Sequence, residues 1–127
     1  METAQIDPAG APRARGTYAQ ALAVRQVQRL LFISGQVPET PDGQVPEDFE
    51  GQCRQVWANI LACLKQDGLD VRNLVKVNTF LAGRNYADAN SRIRREVLGD
   101  HRPALTVIIA DIYDDRWLLE VEAIAAA

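Results

Sequence analysis

Histidine, cysteine and long apolar runs are scarce in this chain, and each scarcity argues against a class of function. His101 is the only histidine, and Cys53 and Cys63 are the only cysteines. That is too few for a metal site built on His and Cys ligands, and no cofactor is implied. The two cysteines stand ten residues apart in one predicted helix, about 15 Å along its axis. A disulfide needs Cα atoms within about 7 Å, so they read as buried thiols of a reducing compartment. No apolar stretch approaches the ~20 residues of a membrane span, and no charged-then-apolar leader opens the chain. The expectation is a cytoplasmic protein with no membrane partner. An excess of basic charge is lacking as well: 14 Lys and Arg stand against 17 Asp and Glu, a net charge of -3, which argues against nucleic acid as a partner. Neither a G-x-S-x-G elbow nor a Gly-rich phosphate loop occurs, and His101 has no evident catalytic partner.

What remains is an ordinary globular composition, 47% hydrophobic and 24% charged in 127 residues, enough for one domain with its own core. Residues 1–14 are polar and rich in Ala and Pro and read as a flexible N-terminal arm; residues 15–127 read as a single domain. Residues 17–22 and 30–35 read as short strands, with the turn between them near residues 25–28. Phe49, Cys53, Val56, Trp57, Ile60, Leu61 and Leu64 recur at three- and four-residue spacing, which predicts an amphipathic helix over 49–66 stopped by Gly68. Residues 74–81 alternate as a half-buried strand. A second helix is predicted over 86–98, its inner stripe Tyr86, Ala89, Asn90, Ile93 and Val97, its outer face Asp88, Arg92 and Glu96. After Pro103, residues 104–110 are apolar on both faces and predict an interior strand. Residues 117–125 form a last strand, with Leu118, Glu120, Glu122 and Ile124 on one face. The fold class is α+β, a sheet carrying two helices on one face.

Two helices cover only one face of such a sheet, and the second face is too apolar to face water. The economical cover is another copy of the chain in a closed symmetric assembly. Glu120 and Glu122 point toward that second face, because residues i and i+2 of a strand share a side. A carboxylate among apolar interface residues needs a partner or a raised pKa. Such a group suits general acid–base work, and it suits equally a structural ion pair with an Arg of a neighbouring subunit.

Four motifs then agree in order. Gly16-Thr17-Tyr18-Ala19-Gln20-Ala21, Ile33-Ser34-Gly35-Gln36-Val37-Pro38, Asn90 in the second helix and Glu120-Val121-Glu122-Ala123-Ile124-Ala125 resemble the signatures of the RidA/YjgF family over nearly the whole chain. The resemblance implies a chorismate-mutase-like fold and a homotrimer with ligand clefts between subunits. It implies enamine or imine hydrolysis, with Glu120 as the catalytic residue and Tyr18, Ser34, Gly35, Asn90, Leu105 and Thr106 around the substrate. Four of these have a plain structural alternative: an interface aromatic for Tyr18, a strand end for Ser34-Gly35, a backbone hydrogen bond for Asn90.

One position departs from the family. Where its deaminases carry a carboxylate-holding arginine in P-A-R-[ST], this chain reads Pro103-Ala104-Leu105-Thr106. Leucine offers no donor in place of a two-pronged guanidinium. The expected substrate is uncharged or apolar at that end, or has its carboxylate anchored elsewhere; Arg102, three residues earlier, would point to the opposite strand face. The chain is therefore expected to be a small-molecule hydrolase or deaminase-like enzyme outside the arginine-bearing group. The alternative is a trimeric metabolite-binding module without turnover, and a ribonuclease or translation inhibitor stands last.

Overall fold

The computed structural model describes residues 1–127. Six strands and two helices run in the order β1 (Glu2–Ile6), β2 (Ala21–Arg25), β3 (Leu30–Gln36), α1 (Phe49–Gln66), β4 (Leu74–Leu81), α2 (Ala87–Leu98), β5 (Ala104–Ile109) and β6 (Leu119–Ala126). The main sheet has four strands in the order β3-β6-β4-β5. β4 and β5 pair in parallel, and the other pairs are antiparallel. β1 and β2 make a separate antiparallel pair, which meets the main sheet at a single parallel bridge between Ala19 and Ala104.

The long helix forms where its period predicts. Asp48 caps its start, the side chain accepting from the Gly51 N–H at 3.0 Å, a contact worth ~1 kcal/mol. At its end Leu69 N–H donates to the Leu64 carbonyl at 2.8 Å and Gly68 N–H to that of Lys65 at 3.0 Å. Gly68 sits at φ 72°, a left-handed conformation that a side chain would strain. Both helices lie on one face of the sheet, and a single core of Val56, Ile60, Leu64, Val77, Leu81, Ile93 and Val121 fills the space between. No helix is long and apolar enough to cross a membrane.

Three readings are corrected. Glu2–Ile6, placed in a flexible arm, is strand β1; every residue of it is exposed, so it carries no buried stripe for a pattern to reveal. The strand expected over 17–22 starts at Ala21, because Thr17 and Ala19 are buried against the body of the domain as it approaches β5. Residues 104–110, expected in the sheet interior, form its edge, with Val107, Ile108 and Ile109 exposed. An apolar run reports that both faces favour burial; it does not report which edges have a strand beside them.

Buried polar groups are placed with purpose. Gln52, 2% exposed, donates to the carbonyls of Pro46 and Arg116 and accepts from the Leu118 N–H, all within 3.0 Å. This pins the loop before β6 to α1, and so fixes where Glu120 begins its strand. Cys53 and Cys63 are free, and burial pushes the Cys53 thiol up to about 12, leaving it protonated and inert at neutral pH.

Candidate functional site

β6 presents Glu120, Glu122 and Ile124 on the face away from the helices, opposite Phe80, Asn78 and Lys76 of β4. The two glutamates have different surroundings. Glu122 accepts from the Asn78 amide at 3.0 Å and lines a groove of about 270 Å³ with Phe32, Ser34, Lys76 and Ile124. Lys76 in turn donates to the Thr106 hydroxyl at 2.9 Å. Glu120 lies against Gly35 instead. β3 carries an irregularity between Ile33 and Gln36, and an added Cβ at Gly35 would stand 2.7 Å from the Glu120 Cδ. The missing side chain of Gly35 thus leaves room for the carboxylate to lie against the strand, and no special φ is involved. Beyond Glu120 a small hollow of about 160 Å³ is walled by Phe80, Asp111, Ile112 and Tyr113.

The remaining expected residues gather elsewhere. Leu105 pairs with Val77 across the β4–β5 ladder and so faces the helix side. There a groove of about 490 Å³ opens between β5, α2 and the segment before β2, lined by Tyr18, Asn90, Ser91 and Leu105 together with Arg15 and Arg94. The Tyr18 hydroxyl accepts from the Arg15 N–H at 3.2 Å. Asn90 is buried at 2% exposure while lining the groove.

Within one chain, then, Tyr18, Asn90 and Leu105 come together, whereas Ser34, Gly35, Glu120 and Thr106 lie on or beside the opposite sheet face. The residues form two partial sites. His101 bonds through Nε2 to the Leu74 carbonyl at 2.7 Å. Arg102 donates to the Gly16 carbonyl at 3.2 Å and lines a different groove with Asp7 and Arg13, away from Leu105. The residue that sequence reasoning missed is Arg94. It sits four positions after Asn90 and is buried at 5% exposure. The i, i+4 spacing from Asn90 was the available signal; an arginine in a charged helix reads as solvent-facing by default.

Residues 9–127 match the family model described as Endoribonuclease L-PSP. The chain is 35% identical over 129 residues to a RutC family protein of Pasteurella multocida, covering 97% of each. It is 27% identical over 124 residues to the Escherichia coli protein TdcF, whose name gives it as a candidate reactive intermediate deaminase, covering 94% of each. The crystal structure of that TdcF with bound serine superposes at a TM-score of 0.73 and 26% identity, covering 98% of both chains. A Rid family protein of unknown function from Yersinia pestis, YyfB, superposes at a TM-score of 0.84 over 100% of both chains at 24% identity, a likeness of fold.

Proposed function

The chain belongs to the endoribonuclease L-PSP (RidA/YjgF) family, and on that premise we propose that it is a small-molecule hydrolase of reactive enamines or imines. The carrying observation is the Glu120 carboxylate laid over Gly35, at a strand irregularity on the open face of the sheet. The groove of Tyr18, Asn90 and Leu105 lies on the other face of the same chain, so the working cleft is formed by two copies, each giving one half. A homotrimer closes three such clefts. The relative named as a reactive intermediate deaminase, and its structure with a small amino acid bound, support a ligand of this size.

In this cleft an imine carbon is placed between Glu120 and the groove. Glu120 takes a proton from water as the water oxygen bonds to the C=N carbon and the π electrons move to nitrogen, and the carboxyl then returns that proton to the nitrogen. The resulting carbinolamine collapses: the C–N bond breaks, nitrogen leaves as ammonia, and a ketone remains. Water supplies every atom needed. An enamine enters the same route after protonation at carbon. Tyr18 and the Asn90 amide orient the substrate across the interface.

The test is ammonia release from freshly generated 2-imino acids and from uncharged imines, with Glu120→Gln and Glu122→Gln compared. Glu120→Gln is expected to cut turnover by roughly 10²–10⁴, while scattering still gives about three times the 14.1 kDa protomer. Equal loss of assembly from both substitutions would make the pair structural and sink the proposal. Saturable binding without turnover by the unaltered protein would favour a metabolite-binding module. The ribonuclease activity in the family description finds no support in a chain of net charge -3 without a basic-aromatic stripe.

A further inference from the structure

The groove beside Leu105 contains a buried cation with no counter-ion. Arg94 is 5% exposed, and its only side-chain hydrogen bond runs from Nε to the Thr17 hydroxyl at 3.2 Å. Its Nη1 is buried and unpartnered. None of the chain's ion pairs includes it. The groove it lines has a second arginine, Arg15, and no aspartate or glutamate. A guanidinium does not give up its proton in a protein, so this charge is carried in a half-dry setting without compensation. Burial pulls its pKa down and the neighbouring Arg95 adds to that; the nearby Cys53 is a neutral thiol, with a pKa near 12.

A fixed, desolvated and unpaired arginine is costly unless something compensates it. Here the unpaired nitrogen belongs to a side chain that lines an open groove of about 490 Å³, next to Tyr18, Asn90 and Ser91. We infer that Arg94 is the anion anchor of this groove, receiving the carboxylate of a small carboxylic acid in place of the strand arginine that Leu105 lacks. The inference rests on the reading above only in taking this groove as the substrate's half-site. The substrate class becomes a small acid with its carboxylate toward α2. Leu105 then serves as the apolar wall beside the fork, and the Thr17 hydroxyl holds the guanidinium in orientation through Nε. The anchoring charge has moved from the sheet to the neighbouring helix.

Pyruvate and pyruvamide form a matched probe pair, nearly equal in shape and different in charge. Their binding to the full-length protein in its native assembly is read by NMR titration, with no turnover required. The unaltered protein should bind pyruvate at least about tenfold more tightly than pyruvamide, since charge-assisted forks are that strong when shielded from water. Arg94→Gln should abolish the preference, and Arg94→Lys, which keeps the charge without the fork, should retain only part of it. Thr17→Val removes the bond that orients the guanidinium and keeps the charge, so the preference should fall in part; an arginine with a purely structural role would leave the preference untouched in every variant. Should Arg94→Gln fail to fold, Arg94→Lys and Thr17→Val still decide the matter. No preference in the unaltered protein overturns the inference, as does a full preference in Arg94→Lys and Arg94→Gln alike. Since binding is read without chemistry, a preference that stands while the unaltered protein shows no turnover would overturn the hydrolase reading and leave the anchor intact.

Discussion

On one face of the sheet, Val77, Leu81, Val121 and Ala123 lie under the helices at no more than 4% exposure; on the other, Leu30 is 53% exposed and Phe32 70%. The covered face is built like any small-domain core of interdigitated aliphatics; Gln52 is fully bonded there, while Trp57 Nε1 and Thr79 Oγ1 are buried without a partner. The open face mixes Phe32 and Ile124 with Lys76, Asn78, Glu120 and Glu122. The covered face explains why the chain folds, and the open face sets polar and charged side chains beside exposed apolar ones. Glu120 and Ser34 thus sit where one copy of the chain has not finished burying itself, while Tyr18, Asn90 and Leu105 sit on the helix side.

This contrast can be broken most forcefully from the covered side. Ile60 is fully buried in the core, and Ile60→Ala should destabilise the fold by ~2–5 kcal/mol, lowering the melting temperature in calorimetry by on the order of 10 °C. A loss as small as that of a surface substitution would mean that the core packs otherwise. Gly35→Ala tests the open face next. The new methyl would meet the end of a flexible side chain rather than backbone, so the Glu120 carboxylate should swing away. Stability should fall by less than ~1 kcal/mol while turnover drops about tenfold or more. A large stability loss with unchanged turnover would show that Glu120 does no chemistry. The smallest protomer effect is expected for Phe32→Ser. Its side chain is mostly outside the protomer's own core, so secondary structure by circular dichroism should be unaltered. Light scattering should show a shift toward the 14.1 kDa protomer, and a mass unmoved at micromolar concentration would place the assembly interface elsewhere.

The legible parts of the fold were those with a repeating burial pattern. The helix over Phe49–Gln66 and the strand over Leu74–Leu81 occur at the bounds that their periodicities predict, because each buries one stripe against the same core. β1 was illegible for the opposite reason: Glu2–Ile6 buries nothing and is held by backbone pairing with β2, which leaves no mark on residue type. The site divided in the same way. Glu120 and Asn90 were readable as chemical types on known faces, whereas Tyr18, expected in a strand, lies ahead of β2. The separation of Tyr18 and Asn90 from Glu120 onto two sides of the sheet was not, since a sequence motif does not say how its parts are arranged in space. Arg94 was hidden by its own chemistry, a charged residue in an i, i+4 charged helix that turns inward to meet Thr17.

The bridge between Ala19 and Ala104 has a consequence for motion. The β1–β2 hairpin is attached to the remainder of the molecule by that single rung and by a few side-chain bonds from Arg94 to Thr17 and Arg102 to Gly16. Detaching it exposes little of the core that holds β4 and β6 together, so it forms a separate cooperative unit whose opening costs less than global unfolding. Tyr18 and Thr17 lie in the stretch that joins this unit to the body. Thr17 and Ala19 are themselves buried against the body, so the wall of the groove that Tyr18 forms belongs with the body, and the hairpin beyond it is the part that can open first.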